Sequence, residues 1–250
     1  MLCEKFKCYT KLTDIPEIDR TPEFKQAVES QVDTLREDWS PCMDYYTEKL
    51  TELGYELATI SYDLGYSQGS GASFTCECID RKKLLTRLFP NMQKEFTEAC
   101  QSILLRYASN GVSITADNWF ETFITDCFDL YIRRDSHHYV HESSTSCNFC
   151  FEETESLPRS VYNQLDDDEI ELAKTFVQEF VDKYEIESTI DEDIHEQNKI
   201  LTKELYEEYE GDTSEESVME RMNDEYNYCW NESEECYELV PVSACQVQVA

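Results

Sequence analysis

Gly65-Tyr66-Ser67-Gln68-Gly69 carries the G-x-S-x-G spacing of the α/β-hydrolase nucleophile elbow, which would make Ser67 the nucleophile of a serine hydrolase. That elbow requires a strand before the serine and a helix directly after it. Ile60 to Leu64 reads as the strand, but Ser70-Gly71-Ala72-Ser73-Phe74-Thr75-Cys76 follows: more small residues, then a β-favouring run. Asp126 and any of the 4 histidines would complete the order Ser, Asp, His, yet with 54 acids in the chain that completion is nearly automatic. The stretch reads as a hairpin loop. No Gly-Lys-Ser/Thr follows, so it is not a phosphate loop either.

His137-His138-Tyr139-Val140-His141 precedes Cys147-Asn148-Phe149-Cys150, a mixture of imidazole and sulfur that suits zinc. A structural zinc site usually draws on two cysteine pairs at knuckle spacing, and alternation along a strand sends Cys147 and Cys150 to opposite faces. A β-hairpin with surface histidines is the expectation, with no metal and no cofactor. Cys76 and Cys78 share one strand face and read as core. A calcium loop of the D-x-D-x-D-G type with a closing Glu does not occur.

The acids themselves form the third feature. Asp166-Asp167-Asp168-Glu169, Asp191-Glu192-Asp193 and Glu204, Glu207, Glu208 and Glu210 lie near expected helix starts or along helix faces. Acids at a helix N-terminus complement its dipole. Carboxylates repeated at i, i+3 and i+4 also form rows about 5–6 Å apart, comparable with phosphate spacing along a nucleic-acid strand.

Over 250 residues, 54 acids against 21 bases leave a formal charge of −33. Such a chain repels nucleic acid and anionic membranes and favours basic surfaces on other proteins. Residues 152–225 hold 26 acids and 6 bases, whereas residues 1–151 hold 24 and 15. The start, MLCEKFKCYT, has no apolar stretch of signal-peptide length, and no run of about 18 apolar residues suggests a membrane span. A cytoplasmic protein is expected, with its 12 cysteines reduced.

Periodicity and punctuation place the elements that would position these groups. Phe6 to Thr10 reads as a short strand, Thr21 caps a helix through Leu35 with Pro22 at its first position, and Pro41 to Leu53 is a helix ending at Gly54. Ala58 to Leu64 and Ala72 to Ile79 read as a hairpin. Leu84 to Ala108 reads as two helices broken at Pro90 and closed by Asn110-Gly111. Val112 to Ile114, Phe123 to Ile132 and Tyr139 to Phe151, rich in β-branched and aromatic residues, read as strands. Beyond Pro158, Asp166 to Tyr184, Ile190 to Tyr209 and Ser214 to Met222 read as helices. The expected fold class is α+β, a mostly antiparallel sheet with packed helices. Residues 1–155 would form its core domain, and 156–250 an acidic, mostly helical extension with a short β-like tail.

Tyr62 to Phe74 (YDLGYSQGSGASF), Ser136 to Phe149 (SHHYVHESSTSCNF) and Leu201 to Tyr228 (LTKELYEEYEGDTSEESVMERMNDEYNY) together resemble a family of uncharacterised bacteriophage proteins, some labelled antitoxin-like. In similar sequences the first stretch reads S-Q-G-D-G-A-S-F between two strands, so Ser70 stands where an Asp is common. The resemblance implies a phage-encoded protein acting in the cytoplasm of an infected bacterium, and it transfers no catalytic residues. The expected function is binding without catalysis: an acidic DNA mimic that inhibits a basic, nucleic-acid-binding host defence protein through the carboxylates named above. An antitoxin-like neutraliser of a basic toxin, or a hydrolase built on Ser67, are the alternatives.

Overall fold

The structure, a computed structural model, describes residues 8–9, 11–65, 69–135, 139–151, 157–231 and 236–242, with backbone alone at Cys8, Phe128 and Phe151. The chain begins with β1 (Cys8–Tyr9), two short 3-10 turns and α1 (Pro22–Asp38), then α2 (Met43–Glu52) and β2 (Tyr55–Glu56). A hairpin of β3 (Thr59–Asp63) and β4 (Gly71–Thr75) leads to β5 (Cys78–Ile79), α3 (Arg81–Leu88), α4 (Met92–Ser109) and α5 (Ala116–Asp126). A second hairpin, β6 (Phe128–Arg134) and β7 (Thr145–Phe151), precedes α6 (Arg159–Tyr162), α7 (Asp167–Tyr184) and α8 (Ile186–Asp212). The described chain closes with α9 (Glu215–Met222), β8 (Tyr226–Asn231) and β9 (Cys236–Pro241). The protein is α+β, and every strand pairing is antiparallel. No helix among the described residues is long and apolar enough to cross a membrane.

Local chemistry explains most boundaries. The Thr21 hydroxyl accepts the Phe24 N–H at 3.3 Å and Pro22 opens α1. Gly54, at φ 104°, ends α2 in a backbone conformation that a side chain disfavours. Pro90 separates α3 from α4 as expected. The strands expected at Val112–Ile114 and from Phe123 are not strands. Residues 112–114 are irregular, and Phe123–Asp126 is the last turn of α5, with β6 beginning at Phe128. Thr115 caps that helix, and Trp119, Phe120, Phe123 and Ile124 fall on one buried helical face. Their aromatic bulk suggests a strand, but their spacing is helical. The strand expected from Tyr139 starts at Thr145, after a loop held by its own hydroxyls: Ser144 Oγ accepts from the His141 N–H at 3.1 Å and donates to the His141 carbonyl at 2.6 Å.

The chain divides into two units, residues 1–41 with 204–250, and Cys42–Lys203. The boundary expected at 155 falls inside the second. Val161, Ala173, Val177 and Phe180, from beyond that boundary, share one core with Tyr55, Phe74, Phe96, Trp119, Ile132 and Cys147. Phe96 sits at its centre, with the rings of Trp119, Phe120, Phe123, Phe176 and Phe180 at 5.1–5.6 Å. α6, α7 and the first half of α8 join this core because each carries its own apolar stripe; acidity on the outer face does not detach it.

The first unit buries Leu12, Phe24, Val28, Val32, Val218, Met219 and Met222 against Tyr228 and Tyr237. The last two rings stack at 5.2 Å across the β8–β9 hairpin, whose other edge pairs β1 with β8. The Tyr228 hydroxyl accepts the Thr21 N–H at 3.0 Å and donates to the Asp19 carbonyl at 2.8 Å. Segments from the first and last parts of the described chain, β1 with β8 and β9, thus form one sheet.

Candidate functional site

The carboxylates expected to face a partner occupy different environments. Asp167 and Asp168 are exposed on the first turn of α7, and Asp166 caps that helix by accepting the Glu169 N–H at 2.9 Å. Glu169 is buried: the Asn110 amide donates to its carboxylate, Arg106 lies 3.8 Å away, and the Tyr107 hydroxyl donates to its carbonyl at 2.8 Å. Asp191 accepts the Cys147 N–H at 2.5 Å, and Asp193 accepts two N–H groups of Arg87 at 2.8 and 2.5 Å and the Tyr55 hydroxyl at 2.5 Å. Glu169, Asp191 and Asp193 are therefore internal fastenings, a correction that follows from helix geometry. One residue adds about 100° around a helix, so a consecutive acidic run cannot stay on one face.

Burial works against the charge of Asp193, but Arg87 and Tyr55 prevail and hold its carboxyl below the usual range. Burial and the same carboxylate push Tyr55 far up. Glu192 is exposed on α8 and is followed on that face by Glu196, then by Lys199 and Lys203, so the sign reverses along the helix. Glu204, Glu207, Glu208 and Glu210 belong to the unit that holds both chain ends, and the first three already engage other groups of the chain.

A more uniform acidic row lies on α7. Asp167, Asp168, Glu171, Glu179 and Asp182 are all exposed and fall within about one third of the helix circumference. None of the five joins an ion pair among the described residues, and Asp182 accepts from Gln178 at 2.7 Å. Glu171, Glu179 and Asp182 lie outside the consecutive acidic run of residues 166–169 and do not stand out by run length in the sequence. The i, i+3 pairs Asp168–Glu171 and Glu179–Asp182 were the available signal.

On its inner side α8 carries a polar stripe at helical spacing, Asp191, His195, Asn198 and Thr202, that fastens both hairpins by their backbones. His195 Nδ1 lies 3.3 Å from the Glu142 carbonyl, to which the Asn198 amide also donates at 2.9 Å. Asn198 further donates to Thr145 Oγ1 at 2.7 Å and accepts the Phe74 N–H at 3.1 Å; Thr202 Oγ1 accepts the Ala72 N–H at 2.8 Å. β4 and β6 meet at one bridge, where Cys76 and Ile132 exchange hydrogen bonds of 3.2 and 2.8 Å. That register, continued, would set Phe74 opposite Arg134. Asn198 takes the Phe74 N–H instead, and the strands part. Asn198→Leu should cost about 2–4 kcal/mol, because the Phe74 N–H and the Glu142 carbonyl each lose this buried partner. Urea unfolding measures it, and a loss below about 0.5 kcal/mol would remove the stripe from the account.

This junction brings together parts of the three stretches singled out in the sequence. Val140 N–H donates to the Gly69 carbonyl at 3.2 Å, Ser144 Oγ lies 3.4 Å from Ser73 Oγ, and Thr202 holds Ala72. A Cβ on Gly69 would come within 2.1 Å of the Tyr139 ring, so a larger residue there requires that exposed ring to move.

Ser67 lies outside the described residues, as do His137 and His138. The run after Ser67 is strand β4, paired from Gly71↔Asp63 to Thr75↔Thr59, where the nucleophile elbow requires a helix. The Cys147 side chain enters the core while Cys150 is exposed, so the pair points to opposite sides of β7. Burial, with Asp191 nearby, pushes the Cys147 thiol far up. Cys76 and Cys78 likewise separate into buried and exposed positions: burial raises Cys76 to about 11, and a hydrogen bond to Glu56 raises Cys78. Among the described residues no three His, Cys, Asp or Glu side chains converge as metal ligands would.

No curated protein and no solved structure matches the chain. The model of the syntaxin-5 N-terminal, Sly1p-binding domain matches residues 19–30, a stretch too short to assign a family. A domain of unknown function, DUF8835, matches residues 39–215, and over that span, which includes both hairpins, α7 and α8, the chain belongs to the DUF8835 family.

Proposed function

We propose that this protein is an acidic binding protein that occupies a basic, nucleic-acid-binding surface of another protein, with the outer face of α7 as its contact. The row of Asp167, Asp168, Glu171, Glu179 and Asp182 carries this reading, because these carboxylates lie on a helix packed into the core. At 1.5 Å rise per residue the 18 residues of α7 extend about 27 Å, a stiff line of negative charge. A basic cleft built for phosphates attracts such a line and discriminates little between phosphate and carboxylate at a distance. The resemblance to phage proteins supports a host defence protein as the target, met in the host cytoplasm.

A quadruple variant, Asp168→Lys, Glu171→Lys, Glu179→Lys and Asp182→Lys, is expected to keep its circular-dichroism spectrum, since all four side chains are exposed. Proteins captured from bacterial lysate by the natural chain should be released by added duplex DNA and should not be captured by the variant. Single reversals should change affinity by only a few tenths of a kcal/mol. A folded quadruple variant that captures the same proteins, or captured proteins that bind DNA and this chain together, would refute the proposal.

A further inference from the structure

Asn110-Gly111, which closes α4, is the one place in the chain where glycine follows asparagine. In such a pair the backbone nitrogen of the second residue attacks the side-chain amide of the first, and glycine puts no Cβ in the way. Both reacting groups are held in the fold. The Asn110 amide donates to the Glu169 carboxylate, and the Gly111 N–H donates to the Ala108 carbonyl at 3.1 Å. The surroundings are open: both residues are exposed, and a Cβ on Gly111 would meet nothing within 4 Å. Exposed helix ends fray, and they open at far lower free energy than a core does, so these two hydrogen bonds restrain the reaction without abolishing it.

Glu169 gives the site its consequence. Its side chain is 4% exposed, whereas that of Arg106, 3.8 Å away, is 52% exposed. A cation standing mostly in water contributes little to a buried carboxylate, which leaves the Asn110 amide as a principal donor. Turning that amide into a carboxylate removes the donor and sets a second negative charge against a buried one. The Tyr107 hydroxyl, which donates to the Glu169 carbonyl at 2.8 Å, still holds the backbone at that point. The change therefore frees the Glu169 side chain and loosens the first turn of α7 without detaching the helix.

We propose that Asn110 is a site of spontaneous deamidation whose product releases Glu169 from the end of α4. The Gly111 nitrogen bonds to Asn110 Cγ, the bond from Cγ to the amide nitrogen breaks, and ammonia leaves carrying the Gly111 amide proton. A succinimide ring remains. Water opens it at either carbonyl, giving aspartate or isoaspartate at position 110, and the new carboxyl group loses its proton to solvent. Water is the sole co-reactant, and no oxidant or enzyme takes part. Ring closure needs both hydrogen bonds broken and the peptide after Asn110 turned from its present ψ of 7°, so the reaction runs through fraying of the α4 end. The site stands independently of what the α7 face contacts.

The test incubates the full-length protein, folded or in urea, in neutral and in mildly alkaline buffer, and follows by mass spectrometry the peptide that carries residue 110. The folded natural chain should exchange amide for carboxyl at Asn110 before any other asparagine, faster in alkaline buffer and more slowly than in urea. Asn110→Gln, whose longer side chain closes such rings far less readily, should stay unchanged there. Asn110→Asp, which supplies the product directly, should lower the thermal midpoint by several degrees. Asn110→Asp combined with Glu169→Gln, which exchanges donor and acceptor, should recover at least half of that loss. The mass measurement uses the natural chain and does not depend on how any variant folds. A folded chain intact at Asn110 while the chain in urea converts completely, conversion of another asparagine first, an Asn110→Asp midpoint equal to the natural one, or a double variant no more stable than Asn110→Asp would each overturn the assignment.

Discussion

Replacing Phe96 with alanine should remove about 3–5 kcal/mol of stability, the largest effect expected from a single side chain in this protein. Phe96 is fully buried, and its ring touches five others contributed by α5 and α7. Truncation removes its own buried area and leaves a cavity that three helices cannot close without shifting. It also removes the edge-to-face and stacked contacts that orient the cluster. Trp119 packs against Phe96 at 5.6 Å, so the change is visible in tryptophan emission during urea unfolding. Phe96→Leu, which refills part of the space, should recover more than half of the loss. If Phe96→Ala unfolds within 1 kcal/mol of the natural chain, α5 and α7 are not joined through this ring.

Breaking the Arg87–Asp193 pair should cost nearly as much. The Asp193 side chain is 10% exposed and the Arg87 side chain 28%, so neither remaining partner could regain full hydration. Arg87→Met should lose about 3–5 kcal/mol at neutral pH, because it strands a buried carboxylate with Tyr55 as its main donor. Asp193→Asn should cost less, since the amide oxygen still accepts from Tyr55. The pH dependence separates charge from shape. The folded carboxyl titrates below its unfolded value of about 3.9, so its contribution is complete above pH 4 and is lost as pH falls through the lower folded value. The stability gap between the natural chain and Asp193→Asn should therefore be constant from pH 5 to 7 and shrink below pH 4. A gap that persisted unchanged to pH 2 would show that the pair contributes packing and not charge.

Local signals alone determined a good part of this protein. Thr21-Pro22, Gly54, Pro90 and Asn110-Gly111 each act within a few residues, and the helix starts and stops they mark lie close to where the structure has them. The same holds for the β3–β4 hairpin, whose small-residue loop and β-branched flanks admit little else. Antiparallel pairing and the α+β class follow from those elements. Cys147 and Cys150 were separable for the same reason, since strand alternation needs no knowledge of a partner.

What tertiary structure decided involves residues far apart in the chain. Phe123 to Asp126 has strand-like composition, and its helical state is set by burying Trp119, Phe120, Phe123 and Ile124 against α4 and α7. The acids Glu169, Asp191 and Asp193 are indistinguishable in sequence from Asp167 and Asp168. Their roles depend on Asn110, the Cys147 backbone and Arg87, groups 44 to 106 residues away. The expected division near 155 failed on the same ground, because charge marks only a helix's outer face and a domain is defined by which inner faces share a core.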